Sequence, residues 1–227
     1  NRVVSEVFGA VAFLHENGVA HRALRGDTIL ICANTRKVKL SAFGLAEVSK
    51  HTALKDDVAP VYVAPEVLAD ETGGDGVAAS LDLVKVDVYS LAIVMWELWF
   101  KQAPFKGMPG TRVVQHVTRG KRLPVLGLPG ITPPPGSLKG LLAALWRPDP
   151  DSRPTAAEAL KDFMEDVFPA VRELPGGDKP VGGAAEGGEE KGGEEPQDLD
   201  DELAPVAAAG GRSGKVDPDA MAILKKL

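Results

Sequence analysis

The sequence predicts a mainly helical (α+β) domain followed by an acidic, unfolded tail. Three observations predict it. Apolar residues recur at helical spacing in several long segments. Two short β-branched runs flank one polar turn. Near residue 173 the composition turns abruptly to Gly and Glu. The domain is expected over residues 1–172, the tail over 173–214, and a short terminal helix over 215–227.

The elements follow in order. Val3, Val7, Val11 and Leu14 keep one helical face, and Gly18 is the expected C-terminal stop. "TILIC" and "KVKL" read as two strands about a turn at "ANTR". "VDVYSLAIVMWELWF" is apolar on nearly every side, which implies a helix at the centre of the domain with Trp96 and Trp99 in the core. "GTRVVQHVTRG" is a further helix, stopped by Gly120. "SLKGLLAALW" is expected to begin at a Ser cap, and "TAAEALKDFMEDVF" at a capping box of Thr155 and Glu158. "TPPPG" has two readings, a partner-binding proline motif or a stiff connection between helices.

The tail has few large apolar side chains and cannot bury enough surface to offset its chain entropy. At its end, Asp217 would cap a helix, Pro218 would open it, and Lys225 and Lys226 would face its negative pole; a frayed terminus is the alternative. Of 32 acidic and 26 basic residues, 12 and 6 lie between Pro175 and Leu227, leaving 20 of each in the body. A neutral body with an acidic tail argues against nucleic acid as a partner. Cys32 is the only cysteine, so no disulfide framework or cysteine-rich metal cluster is expected, and its strand position suggests core. The longest apolar run, Val88 to Phe100, is too short to cross a bilayer and is broken by Ser90 and Glu97. A cytoplasmic, intracellular protein is expected. The chain lacks a starting Met and reads as a fragment. His15, His51 and His116 have no motif around them and are expected at the surface.

Five segments then fall into one frame. "HRALRGDTILI", "AFG", "APE", "DVYSLAIVMWEL" and "LWRPDPDSRPT" stand in an order and at spacings that resemble the C-terminal lobe of a protein kinase, most like the tyrosine-kinase-like group. The resemblance covers residues 1 to about 170, and implies that the N-terminal lobe, with its Gly-rich loop and ATP-contacting Lys, is absent from this chain.

The resemblance also assigns positions, and at several the chemistry is missing. Ala23 stands where the family has the Asp that takes or orients the substrate hydroxyl proton. Thr28 and Ala42 stand where it has the magnesium-holding Asn and Asp. Arg25 replaces the catalytic-loop Lys, and Ala59 a Thr that bonds the catalytic Asp. A methyl group neither accepts a proton nor ligates a hard cation, so no catalytic residue, no metal site and no cofactor is expected. ATP binding would need the missing lobe, with Leu30 beneath adenine. Asp27 is the nearest spare acid.

Structural positions are kept. His21 and Phe43 match two members of the stacked regulatory spine, and Asp87 the buried acid that bonds the catalytic-loop backbone. Glu66 and Arg153 match a buried ion pair, Arg22 the residue that pairs with a phosphorylated activation segment, and Trp146 a packing Trp. Ser49, Thr52 and Tyr62 lie in that segment and are conceivable phosphorylation sites. The implied function is a catalytically inactive pseudokinase serving as a binding or allosteric signalling module, its partners other signalling proteins. The alternative is a divergent but active ATP-dependent protein kinase.

Overall fold

In a computed structural model, the structure describes residues 2–41, 59–69, 81–126, 130–174 and 203–205. Helix α1 (Arg2–Glu16) leads through a loop and a 3-10 turn (Gly26–Thr28) to strands β1 (Ile29–Cys32) and β2 (Val38–Leu40). A 3-10 turn (Ala59–Val61) precedes the short α2 (Pro65–Ala69). Then come α3 (Leu83–Phe100), α4 (Gly110–Thr118), α5 (Gly136–Leu145), a 3-10 turn (Pro150–Ser152), α6 (Ala156–Asp162) and α7 (Phe168–Arg172). Strand β3 (Leu203–Pro205) closes the order.

Helix α3 is the axis of the core. Residues 86–96 are all buried, since apolar side chains cover every face of that stretch. Its start is set by Asp82, whose carboxylate accepts from the N–H groups of Val84 and Lys85. Lys101 ends it in the left-handed region (φ 52°). Helix α5 packs along α3, while α1 packs on both α3 and α6, where Phe8 and Phe163 stack with centroids 6.0 Å apart. Val3, Val7 and Val11 supply the buried face of α1. The helix stops where Gly18 takes φ 72°, so that Val19 N–H reaches back to the Leu14 carbonyl at 2.9 Å.

Three details of the helices differ from the sequence reading. Helix α5 opens at Gly136 behind Pro135, whose fixed, extended backbone (φ −61°, ψ 161°) makes it the last non-helical residue. Ser137 is therefore inside the helix, not its cap. Trp99 sits half-buried on α3, its indole donating to the Thr132 carbonyl at 3.2 Å, while the neighbouring Phe100 is the one that enters the core. The helix from Thr155 has the expected capping box but widens into a π turn over Phe163–Val167. Pro169 explains it, since a prolyl nitrogen gives the preceding turn no N–H and crowds the carbonyl four residues back.

The sheet has the order β2-β1-β3. β1 and β2 are antiparallel in the register Ile29↔Leu40, Leu30↔Lys39, Ile31↔Val38. β3 pairs antiparallel with the other side of β1. Its three residues lie inside the stretch 173–214 for which no ordered element was expected, and they pair with the row of backbone groups that β1 presents on that side. Helical order also runs to Arg172, with Leu174 N–H bonding the Val171 carbonyl. The remainder of the tail and the expected terminal helix lie outside the described residues. Among the described residues, no helix is long and apolar enough to cross a membrane.

Candidate functional site

The loop from Asn17 to Thr28 is organised by one carboxylate. Asp87, in the first turns of α3, is fully buried. Its Oδ2 accepts from the backbone N–H of His21 at 2.6 Å, and its Oδ1 from that of Arg22 at 2.8 Å. Arg22 has φ 69°, a strained position for a residue with a Cβ, and the paired bonds to Asp87 hold it there. The Arg22 side chain is exposed.

His15 completes this node, and the sequence reading placed it wrongly. Its side chain is 8% exposed, and Nε2 lies 3.0 Å from Asp87 Oδ2. The end of α1 brings it there, a contact across 72 residues with no local signature. His116 is half-buried, edge-on to Phe105 at 5.7 Å, because α4 turns that face inward. His51 lies outside the described residues.

His21 is fully buried. Its Nδ1 accepts from Ala23 N–H at 3.3 Å, so the neutral ring carries its proton on Nε2. Burial pushes its pKa below the ordinary value of 6.5, with Asp87 pulling partly the other way. The folded chain therefore binds fewer protons here than the unfolded chain, and stability falls as pH drops through and below about 6.5. We expect the melting temperature to fall between pH 7.5 and 5.5, and the fall to be shallower in His21→Phe. Parallel pH profiles for the two proteins would count against a buried neutral His21.

At Ala23 the loop presents only a methyl group. Thr28 is committed locally: its hydroxyl donates to the Ala23 carbonyl at 2.8 Å, with the Arg25 carbonyl also within reach at 3.0 Å, and accepts from Arg25 N–H at 3.2 Å. The hydroxyl closes the loop on itself just before β1. Arg25 Nε lies 2.6 Å from Asp27 Oδ1, so the spare acid is engaged by the neighbouring cation. Leu30, half-buried on β1, follows directly. Ala59 contributes backbone to a 3-10 turn. Ala42 and Phe43 lie outside the described residues, as do Ser49 and Thr52. Among the described residues, no group of three His, Cys, Asp or Glu side chains could hold a metal. With a methyl at 23 and a committed hydroxyl at 28, the described donors do not fit a magnesium–nucleotide complex.

Two further ties lock segment 59–69 to the helices. Tyr62, 7% exposed, donates its hydroxyl to Glu97 Oε2 at 2.7 Å. Burial pushes both groups' pKa values up, and Ser90 Oγ adds a bond to the Tyr62 carbonyl at 2.8 Å. A modifying enzyme would reach this hydroxyl only after the segment opened. The sequence reading missed Glu97 as a partner; the polar intrusion in an apolar helix was its one signal.

The second tie is Arg153, whose Nη1 and Nη2 meet Glu66 Oε1 and Oε2 at 2.7 and 2.8 Å. The same guanidinium donates to the carbonyls of Arg147, Lys85 and Pro148. It also lies 5.3 Å from the Tyr89 ring centroid, with Arg122 at 5.5 Å from the same ring. Burial pushes the Tyr89 hydroxyl up to about 12.

Comparison with known proteins agrees with this frame. Residues 1–164 match the protein kinase domain. The chain is 37% identical over 153 residues to the Dictyostelium discoideum protein named "Probable serine/threonine-protein kinase drkD", covering 66% of this chain and 11% of that protein. It is 32% identical over 148 residues to "Probable serine/threonine-protein kinase drkC" of the same organism, covering 63% and 18%. It is 30% identical over 183 residues to "Mitogen-activated protein kinase kinase kinase mom-4" of Caenorhabditis briggsae, covering 79% and 30%. The chain thus spans less than a third of the length of each of these relatives. It belongs to the protein kinase domain family.

Proposed function

We propose that this kinase domain is a pseudokinase, a C-terminal-lobe architecture of the tyrosine-kinase-like type that serves as a binding or allosteric module in intracellular signalling. One observation carries the reading. At the position of the catalytic acid there is a methyl, and the hydroxyl at the neighbouring metal-ligand position is used to close the loop. Losing a positioned general base alone costs about a hundred- to ten-thousandfold in rate. Asp27, the nearest alternative, is paired with Arg25. Ala42 in place of the family's second metal ligand supports the same reading from sequence. The framework groups around Asp87, Glu66 and Arg153 are bonded, so the fold is maintained where the chemistry is not.

In active kinases, magnesium neutralises the phosphate oxygens of ATP and is held by an Asp and an Asn. No carboxylate stands at those positions here, so no metal and no ATP-dependent step is assigned to this protein. Any nucleotide held by the full-length protein would rest on apolar contact with adenine, Leu30 included, and on cations such as Arg25. The second reading, an active serine/threonine kinase, is favoured by the names of the relatives and by the partial exposure of Asp27.

A nucleotide titration of the full-length protein by calorimetry, with magnesium and with chelator, separates the two, alongside a phosphoryl-transfer assay. We expect no binding, or binding that magnesium leaves unchanged or weakens, and transfer at background. Binding that tightens tenfold with magnesium, about 1.4 kcal/mol, would show that another acid has become a ligand and would overturn the reading.

A further inference from the structure

β1 has two sides, and the second is covered by the chain's own far end. β2 lies along one side. Along the other lies β3, antiparallel, in the register Leu30↔Pro205, Ile31↔Ala204, Cys32↔Leu203. A strand side with unpaired N–H and C=O groups is a template for any extended peptide that can reach it.

Three features suit this segment to that place. Pro205 has no N–H to donate, so it suits an outermost strand and ends the pairing at Leu30. Leu203 is preceded in sequence by Asp200, Asp201 and Glu202. The antiparallel direction makes the chain enter β3 beside Cys32, and that end of β1 runs into the turn bearing Arg36 and Lys37, with the Arg2 guanidinium bonded to the Arg36 carbonyl. An acidic stretch of sequence thus leads into the strand end nearest Arg36 and Lys37, where Glu6 already engages Arg2 at 3.1 Å. The 28 residues from 175 to 202 also give ample reach, and closure entropy rises only slowly with length.

We propose that the second side of β1 is a docking site for the chain's own segment Leu203–Pro205, an intramolecular strand that closes the sheet beside Leu30. Three residues of ladder make a weak tie, so the segment docks and releases. Docking sets Pro205 opposite Leu30. The docking itself does not depend on the loss of catalysis and stands or falls separately from it.

Cys32 allows a direct test, because it is the only cysteine in the chain, is buried, and is the register partner of position 203. Directly opposed residues of antiparallel strands have Cα atoms about 4.5–5.5 Å apart, inside the Cα span of about 4.4–6.8 Å that a disulfide bridges. Leu203→Cys and the reference Ala209→Cys would each be made in the 227-residue chain and oxidised with diamide, and the intramolecular product would be identified by peptide mass mapping. We expect the intramolecular disulfide to Cys32 to form at least tenfold faster in Leu203→Cys than in Ala209→Cys, and the ratio to shrink in 1 M NaCl. Equal rates overturn the docking, and an unchanged ratio in high salt overturns the part played by the acidic run. A disulfide forming only between chains, at a rate that rises with protein concentration, shows that a second copy takes the site and overturns the intramolecular assignment. Should Leu203→Cys fail to fold, Ala204→Pro gives a second readout. Deuterium uptake in the peptide covering residues 29–32 is expected to accelerate in that variant, and unchanged uptake overturns the proposal.

Discussion

Arg153→Ala is expected to be among the most destabilising single substitutions in the domain. The side chain is fully buried and bonds both oxygens of Glu66, whose own side chain is 16% exposed. Removing the guanidinium strands that carboxylate and leaves the carbonyls of Arg147, Lys85 and Pro148 short of a donor. Breaking a buried ion pair from one side costs on the order of 3–5 kcal/mol. It also removes one of the two cations that flank the Tyr89 ring. Chemical denaturation of the variant beside Arg119→Ala, at an exposed site, measures the difference. Equal losses in the two proteins would mean that the Glu66 tie contributes nothing.

Asp87→Ala is expected to be of similar size, through a different mechanism. The carboxylate is the acceptor for two backbone N–H groups of the His21–Arg22 loop and faces His15 Nε2. Each buried donor left without an acceptor costs roughly 1–3 kcal/mol, so two give roughly 2–6 kcal/mol. Arg22 would also lose the bond that holds its left-handed backbone. Asp87→Asn should fall between, because one amide oxygen can still accept while the amide NH₂ opposes the other N–H. Denaturant unfolding checks the order, and limited proteolysis checks the place: cleavage should appear first between Asn17 and Thr28. A variant that loses less than about 1 kcal/mol would show that water replaces the carboxylate.

Much of this was legible from residue pattern alone. Val3, Val7 and Val11 announced the buried face of α1, and the run from Val86 to Trp96 announced a central helix, because both signals are local and periodic. The frame of short motifs placed Ala23, Thr28, Glu66, Asp87 and Arg153 in one family arrangement before any geometry was known. What stayed hidden was non-local or geometric. His15 reads as a surface residue until the end of α1 meets α3. Thr28 reads as a poor metal ligand, and only its distances show a loop-closing hydroxyl. β3 has no strand pattern of its own, since three residues carry no periodicity, and it exists through the side of β1 that it covers.

The bonds that matter most join residues far apart in the chain. Glu66 and Arg153 are separated by 87 positions, and the Asp87 carboxylate reaches back 66 to His21 and 72 to His15. Such contacts return nothing until the long intervening loops have closed, so topologies rich in them cross the folding barrier slowly. Ties formed after that barrier chiefly set the rate at which the native state opens, not the rate at which it is reached. To the extent that the Glu66–Arg153 and Asp87 ties form after that barrier, they act as a brake on the opening of the native domain.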